Sequence, residues 1–136
     1  PASLTLSAAS VYWTNGGTFG QADGTVKRVA QGGGTPELIA SGQASPRDVA
    51  IGATSILWTN ADTTGGSGGS IMKADLGAQN GTAVVSGLTL PEGVVSHGSG
   101  IYWTEFASGN VMAAINVARI SRKNRKTTIT ARIAPS

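Results

Sequence analysis

There is no cysteine in the 136 residues, which excludes both a disulfide framework and a thiolate metal site and leaves the redox environment open. A single histidine, His97, excludes paired-histidine chemistry and a histidine metal cluster within one chain. No run of about 18 apolar residues occurs, so no helical membrane span is expected. The opening Pro1-Ala2-Ser3 lacks the charged and apolar regions of a targeting signal. Aromatics are few: three Trp, two Tyr and two Phe. No acid follows Glu105, whereas Arg119, Arg122, Lys123, Arg125, Lys126 and Arg132 all do. Residues 1–118 thus hold four bases against seven acids, and the overall charge of +3 describes neither part.

What is abundant is glycine, at 20 residues, placed between short runs of Val, Ile, Leu and Thr. That pattern predicts an all-β chain of many short strands joined by turns. It also repeats. Tyr12-Trp13-Thr14-Asn15 returns as Leu57-Trp58-Thr59-Asn60 and as Tyr102-Trp103-Thr104-Glu105, with Pro1, Pro46 and Pro91 at one repeat position and Ser41-Gly42 matching Ser86-Gly87. Three units follow, 1–45, 46–90 and 91–136. A unit of this length cannot bury its own apolar face and must stack on neighbours.

Each unit reads as four strands. In the first these are Leu4 to Leu6, Ser10 to Thr14, Thr25 to Ala30 and Glu37 to Ala40; in the second, Asp48 to Ile51, Ser55 to Thr59, Ser70 to Ala74 and Thr82 to Val85. The third keeps Gly93 to Val95 and Gly100 to Thr104, then loses the pattern after Met112. Four antiparallel strands in about 40–45 residues make a β-propeller blade. Trp13, Trp58 and Trp103 are then expected to fill the wedges between adjacent sheets, each burial contributing about 2–3 kcal/mol.

Pro91-Glu92-Gly93-Val94, Ile101-Tyr102-Trp103-Thr104, Val26-Lys27-Arg28 and Leu38-Ile39-Ala40-Ser41-Gly42 together resemble the YWTD family of propellers found in low-density-lipoprotein-receptor ectodomains. A looser similarity extends to NHL-type propellers. The likeness covers about residues 1–113 and departs from the family where its aspartate becomes Asn15, Asn60 and Glu105 and its tyrosine becomes Leu57. It implies a ring of six blades, which at this repeat length needs about 270 residues. Three blades leave two broad apolar flanks open, beyond what a soluble monomer exposes. The expectation is a homodimer in which two half-rings close a six-bladed ring. The rival expectation is a fragment of a longer propeller with no independent activity, which folds by self-association.

Candidate sites concentrate in loops. The stretches Gly16 to Gly24, Gly65 to Gly69 and the shorter Ala107 to Gly109 fall on one rim, where propellers vary their loops, and the loop acids Asp23 and Asp62 are ligand-binding candidates. Gly65-Gly66-Ser67-Gly68-Gly69 lacks the Gly-Lys-Ser/Thr ending of a phosphate loop and precedes no helix, so it reads as a plain connector. Arg47, Asp48 and Glu92 lie near inner-strand starts. Among related six-bladed folds, metal-dependent lactonases set carboxylates at the channel mouth, and by that resemblance Asp48 and Glu92 are the candidates for a calcium ion. His97 aligns with Ser7 and Gly52 and reads as a loop residue. The basic run Arg122-Lys123-Asn124-Arg125-Lys126 aligns with a turn and has no interleaved aromatic to stack on bases, so a solvated turn is preferred to a nucleic-acid site.

No nucleophile with an adjacent base can be named. The preferred reading is a non-enzymatic binding scaffold for a protein, glycan or small ligand, without a resident cofactor. A metal-dependent hydrolase or lyase of lactonase type is the alternative. The resemblance leans towards a secreted or extracytoplasmic location.

Overall fold

The computed structural model describes residues 1–62, 64, 67–117 and 127–133. Its twelve strands are β1 (Leu4–Leu6), β2 (Ser10–Asn15), β3 (Gly24–Ala30), β4 (Glu37–Gln43), β5 (Pro46–Ile51), β6 (Ser55–Asn60), β7 (Gly69–Asp75), β8 (Thr82–Leu88), β9 (Pro91–His97), β10 (Gly100–Glu105), β11 (Asn110–Val117) and β12 (Thr127–Ile133). They form three four-stranded antiparallel meanders in chain order, β1 to β4, β5 to β8 and β9 to β12. These are three propeller blades. The third keeps four strands although its repeat pattern fades, because β11 and β12 pair in unbroken register from Val111↔Ile133 to Val117↔Thr127. The basic run at 119–126 lies outside the described residues, as do Gly65 and Gly66.

Burial reports how the blades stack. β2 alternates along its length, whereas every residue of β6 is buried, since the middle blade is covered on both faces. One core joins Tyr12, Val26, Ile39 and Ala40 of the first blade to Val49, Ile56, Trp58 and Ala74 of the second. The next joins Leu57, Ile71 and Leu88 to Val94, Trp103 and Ala114 of the third. Trp58 and Trp103 fill the two wedges as expected, at 0% and 1% exposure. Trp13 does not. It is only half-buried, because its face of the first blade points away from the second.

The outer strands run three residues past their expected ends because a bulge sits in each. Gly24 pairs with Gln43 but Val26 with Ala40, and Gly69 pairs with Leu88 but Ser70 with Ser86. Gly42 and Gly87 take the extra position at φ 63° and 75°, which explains the repeated Ser-Gly. The inner strands likewise begin earlier than expected, at Pro46 and Pro91, both fully buried. Each proline lies against the Cα of a glycine of the preceding blade: a Cβ at Gly24 would collide with Pro46, and one at Gly69 with Pro91. Pro, Gly and Trp therefore repeat together because all three define one seam.

Two hydrogen bonds recur in register across the seams. Thr14 Oγ1 donates to the Arg47 carbonyl at 3.2 Å, and Thr59 Oγ1 to the Glu92 carbonyl at 2.8 Å. Each hydroxyl also accepts a backbone N–H from its own inner strand, Ser3 for Thr14 and Asp48 for Thr59. Both threonines are fully buried.

Candidate functional site

Antiparallel pairing puts the starts of the odd strands and the ends of the even strands on one rim. That rim carries the three loops 16–23, 61–68 and 106–109. Each is braced by one acid. Asp23 accepts from the Thr18 amide and hydroxyl, both at 2.7 Å, and these hydrogen bonds hold its carboxyl below the ordinary aspartate value. Asp62 accepts from the Thr64 hydroxyl at 2.6 Å and its amide at 3.3 Å. Glu105 Oε2 accepts from Ser108 at 3.3 Å. The loops are also stitched to the inter-blade linkers: Ala61 N donates to the Ser45 carbonyl and, one repeat on, Phe106 N donates to the Leu90 carbonyl.

Both phenylalanines of the chain sit on these braced loops, Phe19 at 79% and Phe106 at 72% exposure. Neither repeats, so the register that reveals the fold gives no sign of them. Their clue is negative: an aromatic outside every strand pattern has no packing role. Phe19 follows Thr18 directly, within the turn closed by Gln21 N donating to the Thr18 carbonyl. Asp62 reaches a cleft of about 90 Å³ between the first two loops, lined also by Gln21, Ala22, Ala44 and Thr64. That is far below the roughly 300 Å³ at which clefts begin to enclose a small ligand.

Arg47, Asp48 and Glu92 share this rim with Asp23 and Asp62. Arg47 is exposed, and its carbonyl serves the seam. Asp48 is half-buried on the inner strand with both oxygens engaged, Oδ1 by Ser3 Oγ at 2.6 Å and Oδ2 by Val94 N at 2.8 Å. One carboxylate thereby ties the inner strands of all three blades. Glu92 is also half-buried, and its carbonyl accepts from Thr59. Among the described residues no three acids or histidines gather at metal-binding range. His97 is not in a loop but closes β9, paired with Gly100 at the opposite rim, because the turn needs only Gly98 and Ser99. The site residues named from sequence therefore divide, with five on one rim and His97 apart.

No family model matches the chain, and no curated protein matches it. Among solved structures it superposes on a chain of the crystal structure of the nidogen/laminin complex with a TM-score of 0.64 at 18% identity. The fold is a β-propeller. The match covers 79% of this chain and 39% of that one, so it spans about two fifths of the chain it resembles.

Proposed function

We propose that this chain is a non-enzymatic, protein-binding scaffold of YWTD-type blades, acting as a homodimer in a secreted or extracytoplasmic setting. Its contact surface is the loop rim, with Phe19 and Phe106 as the anchors. The observation that carries this reading is that the only two phenylalanines are both exposed on acid-braced loops of that rim. Rigidly displayed aromatics lose little conformational freedom on binding and dominate interface energetics. The solved structure it resembles is itself a complex between two proteins, nidogen and laminin. The engagement of Asp48 by protein donors weighs against the lactonase alternative.

Selection of peptides from a random phage-displayed library against the immobilised protein tests the proposal. Enriched peptides should lose about 30-fold or more in affinity on Phe19→Ala or Phe106→Ala, with the melting temperature unchanged. Binders indifferent to both substitutions would remove the rim from consideration.

A further inference from the structure

The three-bladed unit has two outward faces, one on the first blade and one on the third. On the first blade, cross-strand register sets Leu4, Leu6, Val11, Trp13 and Leu38 on the face turned away from the second blade. Leu4 and Leu6 are exposed there beside the half-buried Trp13. On the third blade, the outward face holds Val95, Tyr102, Val111 and Ile115. Val95, Tyr102, Thr104 and Val111 line an apolar slot of about 190 Å³.

The internal seams show what fits that slot. Between the first and second blades, Trp58 packs in one core with Tyr12 and Val26. Trp13 stands one repeat before Trp58. Tyr102 stands two repeats after Tyr12, and Val111 holds the ladder position opposite Thr104 that Val26 holds opposite Thr14. The hydrogen bonds stop at the same boundary. Thr14 and Thr59 are fully buried and donate across a seam, while Thr104 accepts from Gly93 N as they do from their own strands but is exposed. The residue in register with Arg47 and Glu92, whose carbonyls take those bonds, is Ala2.

We propose that two copies of this chain close head to tail, with Trp13 of each seated in the Val95, Tyr102 and Val111 slot of the other and Thr104 donating to the other's Ala2 carbonyl. The inference deepens the homodimer named above and rests on that part of the reading. Because 79% of this chain matches 39% of the solved one, two copies together would about equal that chain's length. Both contacts are heterologous, yet they close because the second copy's outward faces meet the first's in the same order. In register, Gly109 stands where Gly24 and Gly69 admit Pro46 and Pro91, and the space around it is open.

Sedimentation of the 136-residue chain at micromolar concentration should give twice the chain mass. Trp13→Ala should raise the dissociation constant about 30-fold or more, and Thr104→Val should weaken it less. Because the chain has no cysteine, Ala2→Cys and Thr104→Cys report orientation through a short bis-maleimide without removing a core side chain. A mixture of the two variants should cross-link, and either alone should not. A folded monomer, an open series of larger assemblies, like-with-like cross-links, or a dimer indifferent to Trp13→Ala would each overturn the seam. Phenylalanine-dependent peptide binding by a monomer would sink the dimer and spare the rim. A dimer whose selected peptides ignore both phenylalanines would do the reverse.

Discussion

Gln43 Oε1 accepts a hydrogen bond from Trp58 Nε1 at 2.8 Å, and one repeat later the same position is Leu88, where Trp103 Nε1 is buried with no partner among the described residues. Gln43 also takes Asn60 Nδ2 at 2.9 Å, a donor absent at Glu105. The first seam is thus a polar-capped version of the second. Gln43→Leu converts one into the other while keeping the side chain's bulk, leaving two donors without an acceptor. An unsatisfied buried donor costs about 1–3 kcal/mol, so urea unfolding should show a loss in that range. An unchanged midpoint would mean that the indole N–H reaches water.

Gly87 sits at φ 75° with open space where a Cβ would stand. Gly87→Ala therefore isolates backbone strain from steric collision, and stability should fall by about 1–2 kcal/mol, the cost of a left-handed conformation for a residue with a Cβ. Gly42→Ala, at φ 63°, should match it. A neutral effect at both positions would show that the bulges relax freely and do not fix the outer strands.

The strands were legible because Trp, Pro and Gly are demanded by every seam and so recur at one spacing. Asp48 was not legible as a brace. Its contacts depend on the units differing, with a hydroxyl donor at Ser3, a carboxylate at Asp48 and a small residue at Gly93 in one register. Gln43 and Leu88 hid a polar cap in the same way, since one seam has it and the other does not. The bulged ends of β4 and β8 were missed because Ser41-Gly42 and Ser86-Gly87 read as turns, although each glycine supplies the positive φ that lets the strand continue. The phenylalanines escaped for the opposite reason, lying outside the repeat altogether.

Asp23 makes loop order pH-dependent. Its folded pKa is depressed, first by the Thr18 hydroxyl and then by the Thr18 amide. The bracing is therefore fully present above the ordinary aspartate value of 3.8 and is lost as pH falls through the lower, folded value. In an NMR titration the Asp23 carboxyl and the Thr18 amide should move together, with a midpoint below that of an unbraced aspartate. Thr18→Ala should raise the midpoint, since the larger of the two hydrogen bonds goes with the hydroxyl. An ordinary midpoint, or an amide that ignores the titration, would leave Phe19 on an unbraced loop.

Asp48 separates the scaffold from the metal enzyme. With both oxygens held by Ser3 and Val94, Asp48→Ala leaves two donors unpaired and loosens the inner strands of three blades together. Hydrogen bonds to a charged group contribute about 1.5–3 kcal/mol, so the melting temperature should fall whether or not a chelator is present. Asp48→Asn offers one acceptor oxygen for two donors and should recover only part of the loss. Calcium should leave the melting temperature of the unmodified protein where it was, because a cation would have to displace donors already in place. A calcium-dependent rise that disappears in Asp48→Ala would reverse that conclusion, since a ligand stabilises only the state that binds it, and the inner rim would then be a metal centre.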